Sequence, residues 1–578
     1  MMVISYQSIK EAKPIMKLPT NHKIRPLTTC ALLLLVPVSI FAGQPTNADR
    51  DAAINSGDFA AYSTKLSAWL NMKIPAGGGI SANTLGTLLK DPVFANTLAQ
   101  RQFIAKTGAD ALTALTKDES GKKFLTWILQ STEAMEHCLE GVTPVASNER
   151  ASQSYRIPLG SLNIWKRIYE ADPESRSGLY LKLAIATGQN PPGTGNRGAG
   201  QAEKAADPLS RYQHFKSAHK NGELFPSFDH LSVWEYRQIV SSNASNADLA
   251  WAREAINTWR PDLRVNQLVV NTTSEVWRRN SPVPFGHSFK NVLAGGGKCG
   301  PRSSWSVFVC QAFGIPAVGV RQPGHVCATY KSSDPRVQPQ PGNVWKVVYG
   351  RGWHVSKTCG LAGPAFMEEM KIRLNAARFM QTERLRWLAS ALDSKERSNA
   401  VTKVAAVMKV PEKIARTKPT TGSTGQAARG AAVASLGAKT EPPLKLMPGV
   451  IHVEAESFRT SKGVAVHDCF LGGKQVYSPK YGQNWGTRPQ IEYVIDVSRT
   501  GTYGLTMRAA VVNFHQAINV AVGADQTVSV KLANSNGLWQ TTPEVEVRLQ
   551  KGKQTLTLTR PNSQRGLALR YLELKAKK

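Results

Sequence analysis

The chain has 578 residues, of which 42% are hydrophobic and 20% charged. This composition is typical of a folded protein with more than one domain, and it excludes an intrinsically disordered chain. The formal net charge of +31 favours anionic partners such as acidic polysaccharide or a cell envelope. Nucleic acid is not expected as a partner, because the basic residues are dispersed and no recognition-helix or zinc-finger spacing occurs.

Residues 1–43 have the pattern of a secretion signal, with Met16 as an alternative start. Basic residues precede an apolar run at 31–41, and the small residues Ala42-Gly43 follow it. The run is short for a membrane span, and an uncleaved single anchor is the alternative. We therefore expect a secreted, periplasmic or cell-envelope protein without a stable membrane span after signal removal.

Cysteines are sparse in the remainder of the chain. Six among more than 500 residues do not make a disulfide scaffold, and no CxxC pair indicates a structural zinc site. The six are Cys138, Cys299, Cys310, Cys327, Cys359 and Cys469.

Residues 44–290 are predicted to be mainly helical. Ser232 and Glu235 fit a capping box at a helix start, and apolar residues recur at helical spacing over 249–259. The Gly/Pro-rich stretch 188–204 is a loop, with two interpretations. It is either a lid that faces a substrate or a solvated connector.

Residues 291–357 change to an α+β pattern. A helix is predicted from Pro301 to Phe313, followed by short strands at 317–321, 325–330 and 344–349. Residues 358–410 return to helix, and the stretch 411–448, rich in Ala, Thr, Gly, Pro and Lys, is predicted to be a linker.

Residues 449–578 are predicted to form a separate all-β jelly roll or sandwich, because short β-branched runs alternate with glycine turns. The predicted strands are 490–496, 502–508, 517–522, 545–549 and 554–559.

The segment around Cys299 has the features of a nucleophile site. Three glycines precede this cysteine, and Pro301 favours a helix start just after it. A helix N-terminus stabilises a thiolate, and His325, 26 residues later, is a candidate general base. The alternative interpretation assigns no catalytic role: Cys299 is then an inert thiol, and the His325 ring forms a hydrogen bond with a backbone carbonyl.

The ordered motifs from Gly297-Lys-Cys299-Gly-Pro, through Gly314-Ile-Pro-Ala317 and Gly324-His325, to Val344-Trp345 resemble the core of the transglutaminase-like superfamily. The resemblance implies Cys299 as nucleophile, His325 as general base and an amide substrate, with no cofactor for catalysis. An acyl-enzyme thioester would then pass to water or an amine.

One position departs from that superfamily, because Tyr349 stands where members usually carry an aspartate that orients the histidine. Candidates for this third role are Tyr349, Asn343, Asp334, His354 and Ser356. Two further interpretations are a dyad that works without a third residue and a site that has lost its activity.

The C-terminal residues resemble the galactose-binding-like sandwiches of carbohydrate-binding modules. The resemblance rests on Val453-Glu-Ala-Glu-Ser-Phe458, Ile491–Val497 and Leu569–Leu574. It implies a structural Ca²⁺ held by Glu454 and Glu456, although Arg570 stands where an aspartate is usual. Aromatic residues that could stack on sugars are Tyr477, Tyr481, Trp485 and Trp539.

Together these features predict an exported thiol-dependent amide hydrolase or acyl transferase of peptidase, transglutaminase or glycan-amidase type, targeted by a sugar-binding-like module. Its expected partners are a peptide, glycopeptide or polysaccharide substrate and anionic surface polymers. The second hypothesis is a non-catalytic surface or matrix-binding protein that retains a degenerate transglutaminase fold.

Overall fold

The computed structural model describes residues 43–75, 79–152, 154–194, 205–265, 267–278, 288–332, 345–348, 355–356, 360–409, 449–481, 486–514, 516–561 and 565–577. Residues 43–578 form one compact unit. The predicted signal, apart from Gly43, and the predicted linker at 411–448 lie outside the described residues. Among the helices that the structure describes, none is long and apolar enough to cross a membrane.

The N-terminal half is helical, as predicted. Its helices are α1 (Asn47–Ser56), α2 (Phe59–Lys73), α3 (Ala82–Lys90), α4 (Pro92–Thr107), α5 (Ala109–Leu115), α6 (Glu119–Gln130), α7 (Thr132–Val142), α8 (Ser147–Ser152), α9 (Leu159–Ala171), α10 (Gly178–Gln189), α11 (Pro208–Lys220), α12 (Val233–Val240), α13 (Asn246–Trp259) and α14 (Pro261–Val265). Short 3-10 helices cover Pro173–Arg176, Pro226–His230 and Val269–Ser274. The capping box is confirmed, because Ser232 caps α12 and exchanges hydrogen bonds with Glu235.

A small antiparallel sheet follows two helices, α15 (Phe289–Gly295) and α16 (Cys299–Ala312). Its strands are β1 (Ala317–Gln322), β2 (His325–Lys331), β3 (Trp345–Val347) and β4 (Val355–Ser356), in the order β3-β2-β1-β4. The helix predicted to start at about Pro301 starts at Cys299 itself, which places the cysteine at the helix N-terminus as expected. Three helices complete this part: α17 (Gly363–Leu374), α18 (Ala376–Ala391) and α19 (Lys395–Lys409).

The C-terminal part is a two-sheet β-sandwich, so the predicted fold class is confirmed. Its strands are β5 (Val450–Glu454), β6 (Thr460–Lys462), β7 (Ala465–Asp468), β8 (Lys474–Ser478), β9 (Gln490–Val497), β10 (Gly501–Val511), β11 (Gln516–Val522), β12 (Gln526–Leu532), β13 (Trp539–Thr541), β14 (Val545–Leu549), β15 (Gly552–Thr559) and β16 (Leu567–Ala576). One sheet has the order β13-β10-β16-β8-β7, with β14 and β5 attached to β10 and β16, and the other has the order β12-β11-β15-β9-β6. Inward-facing apolar residues of both sheets form a core of their own.

The sandwich is docked onto the helical part. Tyr477, Ala510, Val512 and Ala568 belong to the sandwich, yet they pack into the apolar core of the helices. Hydrogen bonds reinforce this contact, because the Trp251 indole donates to the Asn536 carbonyl at 2.9 Å. The sandwich therefore shares a buried interface with the domain that carries Cys299.

Candidate active site

The chain enters the Cys299 region through a tight glycine turn. The Gly297 N–H donates to the Trp277 carbonyl at 2.9 Å, which ties the turn to the preceding segment. Gly296 has a φ of +78°, and a Cβ there would lie 2.4 Å from the Trp277 carbonyl oxygen. Only glycine fits at this position, because a side chain would be both strained and in collision with backbone.

Cys299 is the first residue of α16 and is half-buried. Lys298 is the N-cap, and its side chain makes no capping hydrogen bond. Apart from its chain neighbours and the backbone of its own helix, a Cβ at Gly300 would meet no atom within 4 Å, so the space beside Gly300, the residue after the cysteine, is open. The thiol therefore lies at a helix end whose amide groups and dipole favour negative charge.

A hydrogen bond joins α16 to β2 a few residues after Cys299 in the helix and after His325 in the strand. The Ser303 hydroxyl donates to the Cys327 carbonyl at 2.6 Å. Cys299 lies four residues before Ser303, about 6 Å along the helix. His325 lies two residues before Cys327, about 6.6 Å along the strand.

The helix and the strand also run in the same direction. The Lys331 N–H, at the end of β2, donates to the carbonyl of Pro316 at 2.9 Å, and Pro316 follows the end of α16. The start of β2 therefore lies toward the start of α16. Cys299 and His325 consequently occupy the same end of this helix–strand pair.

The β1–β2 turn sets the position of His325. Gln322 pairs with His325 across a two-residue connection, Pro323-Gly324, and Gly324 has a φ of +63°. This Pro-Gly order matches a type II turn, which needs a positive φ at its third residue. His325 is thereby the first residue of β2 and is half-buried.

The remaining described cysteines are in a different environment. Cys138 and Cys310 are fully enclosed, and burial raises the pKa of both thiols, that of Cys138 to about 12. Cys327 and Cys469 are also buried. Cys299 is the one half-buried thiol among the described cysteines, which distinguishes it as a reactive candidate.

Four of the five candidates for the third catalytic position lie outside the described residues: Tyr349, Asn343, Asp334 and His354. The backbone of the fifth, Ser356, is described. It pairs with Val320 on β1, on the side of the sheet away from β3.

A polar junction between the helical part and the sandwich lies close to this site. The Tyr477 hydroxyl donates to Glu275 Oε1 at 3.1 Å, and the Arg260 guanidinium lies 3.4 Å from the same oxygen. Gly566 faces the Tyr477 ring so closely that a Cβ would lie 2.0 Å from the hydroxyl oxygen. Sequence reasoning missed this junction, because its helical and sandwich members are separated by about 200 residues or more.

This junction affects the aromatic residues predicted to bind sugar. Tyr477 is 5% exposed, and its ring lies under the Arg260 guanidinium. Tyr481 is 8% exposed, and its hydroxyl donates to the Arg560 carbonyl at 2.6 Å. Neither ring presents a face for stacking in this structure. Trp539 is partly buried against the helical core, and Trp485 lies outside the described residues.

The predicted calcium ligands lie at the end of β5. Glu454 Oε1 is 3.1 Å from His452 Nε2, and Glu456 Oε2 is buried without a hydrogen bond. Arg570 accepts the Ala455 N–H with its backbone carbonyl. No group of three ligating side chains occurs among the described residues, so the carboxylates fit a calcium site only in part, and the ion stays a prediction.

No protein-family profile and no curated protein matches the chain. Solved structures similar to part of it include the C-terminal CBM6 module of a laminarinase from Zobellia galactanivorans, with 20% identity, a TM-score of 0.19, and coverage of 22% of this chain and 98% of that one. A β-1,3-glucan-binding CBM6 from Bacillus halodurans is 16% identical, with a TM-score of 0.20, over 23% of this chain and 100% of that one. A family 35 module from Clostridium thermocellum is 16% identical, with a TM-score of 0.19, over 22% and 98% of the two chains. The likeness concerns the β-sandwich fold.

Proposed function

We propose that this protein is an exported, thiol-dependent amide hydrolase or acyl transferase acting on peptides or peptide–glycan conjugates. The observation that carries the proposal is the placement of Cys299. It starts an uncapped helix, and the Ser303–Cys327 hydrogen bond holds that helix level with the start of the His325 strand.

The proposed chemistry assigns one role to each group. His325 takes the thiol proton, and the Cys299 thiolate attacks the amide carbon, while the Cys299 N–H donates to the oxyanion. Collapse of this intermediate breaks the C–N bond, and His325 returns the proton to the leaving amine. Water or a second amine then attacks the thioester and releases Cys299. Catalytic hydrogen bonds are often long in ligand-free enzymes and shorten when substrate binds.

Thiol reactivity tests the first step of this chemistry. Iodoacetamide at pH 6.5, with residue-resolved mass spectrometry, should label Cys299 well ahead of Cys138 and Cys310. Slow and equal labelling of all three would refute the nucleophile. His325→Ala should slow the labelling of Cys299.

The Ser303 hydrogen bond supplies a test of positioning. Ser303→Ala should lower the Cys299 labelling rate, whereas Ser304→Ala, on the same helix turn, should leave it unchanged. Protein stability should fall by about 1 kcal/mol in Ser303→Ala. If Ser303→Ala were less stable but its Cys299 labelling rate were unchanged under fully native conditions, the positioning role would be contradicted.

Turnover is tested on a panel of peptides and glycopeptides by mass spectrometry. Cys299→Ala and His325→Ala should each remove nearly all activity, and the double variant should be little worse, because the two groups act as one unit. Partial and additive losses would indicate a different site.

A non-catalytic polymer-binding protein is the second candidate. The observations in its favour are a sandwich with a core of its own and the formal net charge of +31. On this proposal the sandwich and its basic residues bind polysaccharide, with anionic polymers favoured and binding weakened by salt. A glycan array with Cys299→Ala protein tests this function separately, because loss of the thiol should not affect it.

A further inference from the structure

Three cationic side chains meet beside the first turns of α16, and two of them come from the sandwich. The Lys480 ammonium donates to the Ser274 carbonyl at 3.0 Å, and the Arg565 guanidinium donates to the same carbonyl at 3.3 Å. The Arg302 guanidinium donates to the preceding carbonyl, that of Thr273, at 3.3 Å. We call Arg302, Lys480 and Arg565 the junction cations.

The segment that holds these cations leads directly to the candidate nucleophile. Thr272 Oγ1 accepts from the indole of Trp305 at 3.0 Å, and five residues later the Trp277 carbonyl accepts from Gly297. Ser274 therefore lies between the second turn of α16 and its N-terminus. Arg302 is three residues after Cys299, and side chains at this spacing share a helix face, with about 5–6 Å between their Cβ atoms.

Positive charge is concentrated at this place. The carbonyls that position the junction cations are neutral, and Glu275 is the carboxylate next to them along the chain. Glu275 already accepts from Tyr477 and lies within 3.4 Å of Arg260. Burial lowers the pKa of Lys480. Glu275 exerts the largest charge effect and opposes this shift, while the three arginines Arg565, Arg302 and Arg260 add to it.

Like charges that crowd together at a half-buried place repel one another, and a bound anion relieves the repulsion. The Arg565 guanidinium also lies over the Trp277 ring, 5.2 Å from its centroid. A planar guanidinium suits a carboxylate, which it can bind through two parallel hydrogen bonds.

We propose that the junction cations bind a carboxylate of the substrate, close to the amide that Cys299 attacks. This inference rests on the proposed function and narrows its substrate class to acidic peptides or acidic peptide–glycan conjugates. It also makes the sandwich part of the substrate site, because Lys480 and Arg565 belong to it.

Two alkylating reagents of similar size test the proposal without knowledge of the substrate. Iodoacetate carries a carboxylate and iodoacetamide does not. The ratio of their rates at Cys299 should exceed the ratio for free glutathione at the same pH and ionic strength. Lys480→Gln and Arg565→Gln should each lower it by roughly two- to five-fold, and added salt should lower it as well.

Two control variants separate charge from structure. Arg565→Lys keeps the charge and should retain most of the ratio, and Lys531→Gln, on the exposed face of β12, should leave it unchanged. A wild-type ratio equal to that of glutathione, or one that the Gln variants do not alter, would overturn the carboxylate site while leaving the reactive thiol in place.

A second measurement does not depend on thiol reactivity. Succinate should raise the melting temperature of full-length Cys299→Ala protein, because a ligand that binds only the folded state stabilises it. The Lys480→Gln/Arg565→Gln double variant in the same background should lose this shift. An equal shift in both proteins would refute the site. If Cys299 reacted with neither reagent but succinate still bound, the thiol chemistry would fail and the anion site would stand.

Discussion

The sandwich and the small sheet beside Cys299 are built on different principles. The longest sandwich strand, β10, has 11 residues, and the two sheets enclose an apolar core of their own. The β1–β4 sheet has strands of six, seven, three and two residues, and α16 packs against it. The sandwich therefore buries apolar residues between its own two sheets, whereas α16 and the small sheet bury theirs in the cores of the helical part. Single hydrogen bonds and Gly296 then set the local position of Cys299.

The largest effect is expected from a cavity in the sandwich core. Leu505 on β10 is fully buried, so Leu505→Ala should cost about 3 kcal/mol of unfolding free energy. Pulse labelling of cysteines against urea separates the regions, because Cys469 reports on the sandwich and Cys310 on the helices. We expect Cys469 to become accessible at lower urea while Cys310 stays protected.

Val494→Ala, at an exposed position of β9, is the control for that substitution and should change little. If Cys469 and Cys310 became exposed at the same urea concentration in Leu505→Ala, the two regions would unfold as one cooperative unit, and the proposed difference between them would be wrong.

The glycine turn should be the most sensitive backbone position near the thiol. Gly296→Ala should cost about 2–3 kcal/mol, because a positive φ and a backbone collision are combined there. Gly300→Ala is the matched control, since its Cβ would meet open space, and it should be neutral or slightly stabilising. Chemical denaturation measures both, and equal effects would contradict the structure of the turn.

Acid should weaken the helical part. Burial lowers the pKa of His214 to about 3 and that of His137 to about 4, while an unfolded histidine titrates near 6.5. The unfolded chain thus binds more protons between these values. The stability from the neutral rings is present above about pH 6.5 and is lost as the pH falls toward 4 and then 3.

The slope of this loss is at most about 1.4 kcal/mol per pH unit for each histidine. His214→Gln should reduce the slope of unfolding free energy against pH between about 6.5 and 4.5, measured by the protection of Cys310. An unchanged slope would show that His214 is not buried as a neutral ring.

The smallest effect concerns the contact between the two regions. Tyr477→Phe removes the hydroxyl that donates to Glu275, and it should cost about 1 kcal/mol. Tyr503→Phe, whose hydroxyl donates within the sandwich to the Arg499 carbonyl, should have a similar cost without changing the iodoacetate preference of Cys299. Equal loss of that preference in both variants would argue against a local junction.

Local patterns are sufficient to predict several elements of this fold. The capping box at Ser232, the start of β2 at His325 and the strand at 545–549 depend on neighbouring residues and are found as expected. The helix start around Cys299 and Pro301 is found as expected, and the helical backbone begins at Cys299, two residues before Pro301.

The junction could not be predicted in the same way. The roles of Glu275, Tyr477 and Arg565 depend on packing between segments that are distant in the sequence. The periodicity within each segment does not indicate this packing. Tyr477 shows the difficulty best, because an aromatic residue near a loop fits both a sugar platform and a domain contact. The sequence alone could have pointed to Ser303, because it lies four residues after Cys299 and this spacing places both on one helix face.

The docking of the sandwich has a consequence for the order in which the chain matures. Its contacts with the helical part join residues that are about 200 to 290 positions apart, such as Arg260 with Tyr477 and Ser274 with Arg565. During synthesis, the segments around Cys299 emerge well before Lys480 and Arg565 exist. The thiol therefore gains the sandwich side of its surroundings only after the C-terminus has been made and folded. A truncated chain would carry the cysteine and Arg302 without Lys480 and Arg565, the two sandwich cations that we propose help to select its substrate.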